Sequence, residues 1–502
     1  MRFFRKTPPA PLRAGTLMHL SSLPSAGGVG TMGEAAYRFV DFLAASGLTV
    51  WQMLPVGPAG YGESPYQSFS AFAGDALLID LPDLVARGLL RAQDVPEGGA
   101  MERDALRRAK DAALRASWRY SHEKVHAQVR AYARRHAWLN DWALFAALKA
   151  RYGGIAWQEW PEEALVRRDR RALAAAKKDM KDETDYYRYV QWLFSLQWEK
   201  LRAYAHAHGV LLFGDMPIYA SADSADCWAN RSIFQLDGDG RPTHVAGVPP
   251  DYFSEDGQRW GNPLYNWKEL KRTRYGWWVA RMRAMAERFD WTRIDHFIGF
   301  ANYYAIPAAS PTARVGEWRI GPGRPLFRRI ERAVPGLSII AEDLGEVGPR
   351  VQELLRACGY PGMRVMQFGY DGGEDNPHLP ENYIRNCVAY TGTHDNDTLR
   401  GYLATAGETT LSNLRAHFPG AQDLAGAMLE ALFQSKAGTV IAPMQDFLGL
   451  GGEARMNVPG TVGGANWLWR MAPDAPLAAL VPRIRALCCQ SGRTVERSEE
   501  KK

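Results

Sequence analysis

Short apolar segments that recur along the chain, each ending in small, acidic or aromatic residues, constrain its fold most strongly. Stretches with helical periodicity, such as Glu34–Ala45 and Gly348–Cys358, separate them. Apolar segments of this length that alternate with helices are typical of buried parallel strands. The pattern predicts an α/β protein built as a (β/α)8 TIM barrel, with a doubly wound open sheet as the structural alternative. The eight segments are Gly15–Leu20, Leu48–Val56, Gly209–Phe213, Trp291–Ile294, Leu337–Ala341, Met363–Phe368, Cys387–Tyr390 and Gly438–Ala442.

Two intervals between the predicted strands are far longer than the ~10–15 residues that a crossover helix needs. The interval 68–208, after the second strand, has helical patterns over 102–136, 138–151, 162–180 and 185–208, and predicts a mostly helical insertion. The interval 216–275, after the third strand, is rich in Gly, Pro, Trp and Tyr. It predicts a loop-rich insertion that forms part of a substrate cleft.

We expect residues 1–502 to form a single barrel domain with these insertions. After Arg470 about 30 residues remain, too few for a C-terminal β-sandwich of ~100 residues. The composition, 46% hydrophobic and 23% charged, excludes wholesale disorder. The net charge of +6 is small for this length, and Arg-rich stretches such as Arg103–Arg119 have the spacing of solvent-facing helices. No nucleic-acid partner is therefore expected.

Membrane insertion and disulfide bonding are not expected either. No segment approaches the ~18–20 consecutive apolar residues of a spanning helix, and Met1–Gly15 lacks the apolar region of a secretory signal. The five cysteines are odd in number and form no CxxC pair. That pattern disfavours a disulfide framework or a structural zinc site and indicates a reducing, cytoplasmic location.

Three acidic residues lie at the ends of predicted strands. Asp295 follows the fourth apolar segment, Glu342 follows the fifth, and Asp395 lies shortly after the seventh. An isolated acid is more often a helix cap or a solvated carboxylate. Because a barrel gathers the carboxyl ends of its strands at one face, three acids in these positions predict a catalytic cluster.

Paired carboxylates suit retaining chemistry at a glycosidic bond, where one attacks the anomeric carbon and the other protonates the leaving oxygen. They must lie ~5–5.5 Å apart and differ in pKa. Arg293, two residues before Asp295, is expected to share its face of the strand and to keep it ionised. Glu342 is expected to stay protonated in a drier pocket.

Several long motifs carry a resemblance that covers nearly the whole chain. They are GTLMHLSSLPS, LPVGPAGYGESPYQSFSAFAG, FGDMPIY, GVPPDYFSEDGQRWGNPLYNW, RIDHFIGF, AEDLG, GTHDNDT and RMNVPGT. With them the chain resembles the amylomaltases, the 4-alpha-glucanotransferases of glycoside hydrolase family 77, which are related to the α-amylase superfamily. In contrast to most amylases, Asp215 is followed by Met-Pro-Ile-Tyr rather than by an Asn-His pair.

The resemblance implies a role for each motif residue. It makes Asp295 the nucleophile, Glu342 the general acid/base, and Asp395 the carboxylate that holds the sugar hydroxyls and favours a distorted transition state. Arg293, His394 and Asp215 match the supporting residues of the family. No cofactor or metal is expected, since the acids can carry the reaction and no His or Cys cluster has the spacing of a metal site.

Candidate sugar contacts come from aromatic and amide residues in loops, because sugars pack on aromatic planes and hydrogen-bond through their rims. The segment Gly247–Pro263 is interpreted as a lid over the donor sugar, with a hydrophobic plug between barrel and insertion as the alternative. The candidates are Tyr61, Ser64 and Tyr66 in GYGESPY, Tyr252, Phe253, Gln258, Trp260 and Asn262 in the lid, and Asn457 and Asn466 near the C-terminus.

The leading hypothesis is therefore an enzyme that cuts an α-1,4-glucan donor and passes the released segment to an acceptor glucan. A hydrolase with the same acids and a non-catalytic glucan-binding protein are the rival hypotheses. The expected assembly is a monomer or a weak homo-oligomer.

Overall fold

The computed structural model describes residues 11–97, 99, 101–250, 254–345 and 347–494. This part of the chain contains strands in two separate sheets, one parallel and one antiparallel. The strands are β1 (Arg13–Leu17), β2 (Val50–Gln52), β3 (Leu211–Pro217), β4 (His244–Val248), β5 (Gln258–Pro263), β6 (Trp291–Asp295), β7 (Asn302–Pro307), β8 (Glu317–Ile320), β9 (Ser338–Ala341), β10 (Gly362–Val365), β11 (Cys387–Tyr390) and β12 (Thr439–Pro443).

The parallel sheet is the barrel, and it confirms the predicted fold class. Its eight strands run in the order β10-β11-β12-β1-β2-β3-β6-β9, so that neighbours in the sheet follow one another along the chain around the ring. The ring closes between β9 and β10, where Ala341 N–H donates to Pro361 O at 2.8 Å. Each predicted apolar segment overlaps one of these strands, although the bounds differ by up to a few residues. The segment Met363–Phe368 is extended only to Val365 and then turns into a short 3-10 helix.

Helices surround the barrel and fill the long interval after β2. They are α1 (Glu34–Ser46), α2 (Leu81–Ala86), α3 (Arg103–Arg135), α4 (Trp138–Arg151), α5 (Glu163–Val166), α6 (Arg170–Asp179), α7 (Lys181–Ala207), α8 (Ala225–Ala229), α9 (Trp267–Arg272), α10 (Gly276–Arg288), α11 (Arg324–Ala333), α12 (Pro349–Cys358), α13 (Leu399–Thr405), α14 (Glu408–His417), α15 (Leu424–Gln434), α16 (Met444–Leu448) and α17 (Leu477–Gln490). No helix in the described part of the chain is long and apolar enough to cross a membrane.

Helix α1 illustrates how the local sequence forms these elements. Ala36, Phe39, Val40 and Leu43 recur at helical spacing and are all buried, so one face of the helix packs on the barrel. The helix ends at Gly47, whose φ of 78° is the left-handed conformation that glycine adopts without steric cost. Strand β2 then follows directly.

The helix predicted over 162–180 is divided in two, which corrects that prediction. Helix α5 ends at Val166, and Arg168 has a positive φ of 59°, which a continuing helix excludes. Asp169 then caps α6 by accepting hydrogen bonds from the backbone N–H groups of Arg171 and Ala172. Helical periodicity alone did not reveal this break.

Side chains that alternate along the strands divide the core into an inner and an outer part. Phe213 lies in the cluster inside the barrel with Leu17, Val50 and Ile340, whereas its neighbour Leu212 lies in the cluster between barrel and helices. Successive strand residues point to opposite faces, which explains this division. The barrel interior is therefore a packed core. Catalytic side chains are expected at the carboxyl ends of the strands instead.

The loop-rich interval 216–275 also holds two strands that the sequence did not predict. Strands β4 and β5 pair with each other and, through β7, with β8, giving an antiparallel sheet of order β5-β4-β7-β8. Strand β5 was not predicted because it contains Gly261 and Pro263, two residue types that are uncommon within strands. The sheet carries Gln258 and Trp260, two of the candidate sugar contacts, on its edge strand.

Candidate active site

The register between β3 and β6 brings the first two charged groups together. Asp215 pairs directly with Arg293, and both side chains are almost fully buried. Arg293 Nη1 donates to both carboxylate oxygens of Asp215 at 2.8 Å. Paired residues of neighbouring strands face the same side of the sheet, so this ion pair follows from the register itself.

The same guanidinium reaches a second acid. Arg293 Nη2 lies 2.8 Å from Oδ1 of Asp295, whose side chain is 30% exposed, and Arg293 Nε lies 3.3 Å from the Met363 sulfur. Burial opposes a charge here, but Asp215 and Asp295 together raise the pKa of Arg293 well above its usual value. Arg293 is therefore a fixed cation that joins the ends of two strands.

Glu342 lies one residue beyond the paired ends of β6 and β9. Ile294 pairs with Ala341, so Asp295 and Glu342 are the next residues along the two strands. The Glu342 carboxylate accepts hydrogen bonds of 2.7 Å from His296 N–H and from Leu344 N–H. Burial raises the pKa of Glu342 from its usual 4.5 to about 7; Asp295 acts in the same direction, whereas Arg293 and the two N–H groups oppose it.

The third acid, Asp395, lies in the turn after β11 and is held from the C-terminal loops. Asn457 Nδ2 donates to Asp395 Oδ1 at 2.7 Å, and Arg455 Nη2 donates to Asp395 O at 2.6 Å. His394 Nε2 lies 3.4 Å from the same Oδ1. The Asp395 side chain remains 45% exposed, so it can meet a ligand from solvent.

Tyr66 links the loop after β2 to this group of residues. Its hydroxyl donates to Asp215 Oδ2 at 2.8 Å, and its ring stacks on His394 with centroids 5.1 Å apart and an angle of 16°. Trp467 lies beside both rings, at 5.9 Å from Tyr66 and 6.0 Å from His394. These flat surfaces form one wall of the site.

The rest of the Tyr66 loop is held by the helical insertion. Glu63 has a positive φ of 62°, and its carboxylate pairs with Arg107, which donates to both oxygens, and with Arg103 Nε at 2.9 Å. Both arginines belong to the first turns of α3. Ser64 Oγ accepts from Tyr66 N–H at 3.3 Å, and Tyr61 is 75% exposed at the rim.

The predicted lid is described only in part, because Tyr252 and Phe253 lie outside the described residues. Trp260 Nε1 donates to the exposed Gln258 at 3.1 Å, and the Trp260 ring meets the ring of His296 edge-on, with centroids 4.8 Å apart. Asn262 is buried. Its Nδ2 donates hydrogen bonds to Gln67 Oε1 and Ala220 O, and its Oδ1 accepts one from Gln67 Nε2.

The candidates thus fall into two groups. The acids, Arg293, His394, Tyr66 and Asn457 form one network, whereas Asn262 and Asn466 use their amides to brace loops. Asn466 Oδ1 accepts from Val458 N–H at 2.9 Å, and its Nδ2 donates to Thr461. Residues of the site that the sequence did not identify include Glu63, His296, Arg455 and Trp467. His296 and Glu63 lay within quoted motifs, but their partners are distant in sequence, so no local pattern identified them.

The geometry places an ion-paired carboxylate and a carboxyl group of raised pKa at neighbouring strand ends. Asp295 is ion-paired to Arg293, and Glu342 is poised to exchange a proton near neutral pH. This is the arrangement that acid/base and nucleophilic chemistry at one bond requires. Among the residues that the structure describes, no three His, Cys, Asp or Glu side chains are grouped as metal ligands.

Known proteins match this chain along most of its length. The family model of glycoside hydrolase family 77, described as 4-alpha-glucanotransferase, matches residues 18–476. A 4-alpha-glucanotransferase from Thermus thermophilus is 44% identical over 493 residues, which is 95% of this chain and 98% of that protein. A chloroplastic/amyloplastic 4-alpha-glucanotransferase from Arabidopsis thaliana is 42% identical, covering 96% of this chain and 86% of that protein.

A solved structure matches the fold equally well. The amylomaltase from Streptococcus agalactiae in complex with acarbose has a TM-score of 0.92 and 36% identity, over 96% of this chain and 100% of that one. The amylomaltase from Corynebacterium glutamicum, at 17% identity and a TM-score of 0.79, shares the fold. The chain belongs to the 4-alpha-glucanotransferases of glycoside hydrolase family 77.

Proposed function

We propose that this enzyme transfers a segment of an α-1,4-glucan to the 4-hydroxyl of glucose or of another α-1,4-glucan, by a retaining double displacement. One observation carries the proposal. The Arg293–Asp295 ion pair lies at the end of the strand next to Glu342, whose pKa is raised to about 7. A carboxylate held by a cation thus lies beside an acid that can still carry its proton near neutral pH, as the first displacement requires.

In the first displacement the Asp295 carboxylate attacks the anomeric carbon of the donor. The bond from that carbon to the glycosidic oxygen breaks, and the Glu342 proton passes to the departing oxygen. The products are a covalent glycosyl ester on Asp295, an ionised Glu342 and the shortened reducing-end fragment. Arg293 stays protonated throughout and fixes the Asp295 oxygen that does not attack.

In the second displacement the ionised Glu342 acts as a base. It takes the proton from the 4-hydroxyl of an acceptor sugar, whose oxygen attacks the anomeric carbon and releases Asp295. Each displacement inverts the anomeric carbon, so the α configuration is restored. Glu342 is then protonated again, and the cycle needs no cofactor.

The exposed groups around the acids are proposed to hold the sugar. Asp395, fixed by Asn457 at 2.7 Å, would accept hydrogen bonds from sugar hydroxyls, while the ring of Tyr66 gives an apolar plane for the sugar face. The insertion of residues 216–275 would close the donor side through Trp260. Water must be kept from the glycosyl ester until an acceptor arrives, and this cover would favour transfer over hydrolysis.

Incubation with maltotriose alone tests the proposal. Transfer predicts free glucose together with a ladder of longer maltodextrins and little gain in reducing ends, because each bond cleaved is replaced by another. A steady rise in reducing ends without longer products would identify a hydrolase instead. Binding of maltotriose with neither outcome would reject the enzyme and favour a glucan-binding protein. The Asp295→Ala variant is the matched control for contaminating activity.

We also propose that the protein works in the cytoplasm, as a monomer or a weak homo-oligomer. All five cysteines are free in the structure, which suits a reducing compartment.

A further inference from the structure

The residue that follows Asp295 has an unusual backbone conformation. His296 has φ 51° and ψ 51°, the left-handed region in which residues with a Cβ are uncommon. Strain of this kind persists only where surrounding contacts maintain it, and it is concentrated at functional sites.

Three hydrogen bonds join the end of β6 and the turn to Glu342. His296 N–H donates to Glu342 Oε2 at 2.7 Å, and Phe297 N–H donates to Glu342 O at 3.0 Å. In the other direction, Glu342 N–H donates to Ile294 O at 3.1 Å. An extended residue at 296 would continue the strand and carry the following residue, Phe297, with its N–H away from Glu342 O.

The side chain of His296 is packed in a way that holds this turn. Its ring meets the edge of Trp260 with centroids 4.8 Å apart. Gly299 leaves room on the other side, since a Cβ there would lie 3.1 Å from His296 Cδ2. Burial lowers the pKa of His296 to about 4, so the ring is neutral and adds no positive charge beside Glu342 near neutral pH.

We infer that His296 is a positioning residue for Glu342: its left-handed turn, bordered by Trp260 and Gly299, places Phe297 N–H on Glu342 O and so keeps the end of β6, with the His296 N–H that bonds to Oε2, against the carboxyl group. With Leu344 N–H on Oε1, both oxygens are then held. The inference rests on the proposed role of Glu342 as acid and base. The turn at His296 then helps to orient the proton that Glu342 transfers.

Loss of the His296 hydrogen bond to Glu342 is expected to change the pH dependence of the transfer rate. The charged groups that act on Glu342 are Arg293 and Asp295, and the His296 ring is neutral. A hydrogen bond from a backbone N–H favours the ionised form of the carboxyl group, so losing the His296 bond raises the pKa of Glu342. The first displacement needs Glu342 protonated, and the alkaline limb of the rate profile therefore shifts upward.

Two substitutions of similar size separate the backbone from the ring. Asparagine tolerates the left-handed conformation, whereas valine, branched at Cβ, does not. We expect His296→Asn, which loses the ring but can keep the turn, to lose less kcat than the Val variant and to keep the alkaline limb in place. We expect His296→Val to lower kcat by roughly 10- to 100-fold, with a smaller change in KM, and to move the alkaline limb up by up to about one pH unit.

The measurements are kcat, KM and the pH profile of maltotriose transfer, with thermal melting to verify folding. Equal losses in the Asn and Val variants, or an unshifted limb in a slowed Val variant, would overturn the inference. If His296→Val does not fold, His296→Gly and His296→Ala repeat the comparison, with Gly as the tolerant member. An active Glu342→Gln variant would instead reject the proposed function, so the two failures are distinguishable.

Discussion

Arg293 Nη2 lies 2.8 Å from Asp295 Oδ1, at the end of the strand on which both residues stand two positions apart. The other terminal nitrogen of the same guanidinium holds the buried Asp215. One planar cation therefore satisfies a structural carboxylate inside the barrel and orients the exposed carboxylate that we propose as nucleophile. A lysine ammonium is a single point charge without this planar fork, so it would not reproduce the geometry at both acids.

Replacing Arg293 is expected to damage activity even when the charge is kept. Arg293→Lys should lower kcat/KM for maltotriose transfer by about 100-fold or more, because misplacement of the reacting group alone has effects of that size. Arg293→Ala should also destabilise the fold by about 3–5 kcal/mol, since Asp215 is left buried and unpaired. Arg151→Lys, in an exposed pair with Asp179, is the control and should change little. A Lys variant with unchanged kcat/KM would contradict the expectation.

Removing the proposed nucleophile should separate binding from reaction. Asp295→Ala is expected to lower transfer by on the order of 10³ or more, as for other covalent catalysts, while glucan binding measured by calorimetry persists. Asp179→Ala removes an exposed acid that pairs with Arg151, outside the site, and serves as the matched control. Near-normal transfer by purified Asp295→Ala would exclude the assignment.

Glu342 is expected to make stability depend on pH. Its pKa is about 7 in the folded protein and 4.5 when unperturbed, so between these values the folded state keeps a proton that the unfolded state has lost. The contribution to stability is then present below pH 4.5 and is lost as the pH rises through 7, by on the order of 3 kcal/mol.

The variant Glu342→Gln tests this sign, because its side chain does not titrate. The difference in Tm between variant and wild type should become more favourable to the variant from pH 5 to pH 8. Glu408→Gln, at an exposed acid, should follow the wild-type curve. Parallel curves for Glu342→Gln and wild type would show that the raised pKa is wrong.

The pairing of Glu63 with α3 should control substrate binding through the Tyr66 loop. Arg107→Ala removes the arginine that donates to both Glu63 oxygens and should release the strained backbone of that residue. We expect KM to rise roughly threefold to tenfold with little change in kcat, since an ordered binding loop lowers the entropy lost on binding. Arg108→Ala, at an exposed position on the same helix, is the control. Equal KM values for the two variants would refute the expectation.

The lid interpretation of Gly247–Pro263 predicts a change in product ratio. If the segment keeps water from the glycosyl ester, Phe253→Gly should raise hydrolysis relative to transfer, whereas Trp260→Ala should mainly weaken donor binding. The measurement is the ratio of free glucose to transferred glucosyl units, taken together with Tm. An unchanged ratio with a lowered Tm in both variants would favour a packing role, and Arg259→Ala on the same strand is the control.

Local patterns in the sequence were sufficient to predict the barrel and to locate the acids at the ends of its strands. Eight apolar segments encode buried strands because a strand covered on both faces needs continuous apolar residues, and this signal is local. Asp295 and Glu342 were found for the same reason, since each directly follows such a segment. Their roles came from the motif resemblance and remain proposals.

Which side chains are in contact, and which groups hold them, depends on the tertiary structure and could not be predicted from local patterns. The pairing of Arg293 with Asp215 depends on the register of two strands, and the anchoring of Glu63 depends on a helix that begins 40 residues later. The antiparallel sheet around Trp260 joins strands from two separate intervals. The hydrogen bonds from His296 and Phe297 to Glu342 lie on either side of a left-handed turn, which no local pattern of residues predicted. Such contacts are set by the balance of packing over the whole molecule, which local patterns of residues do not contain.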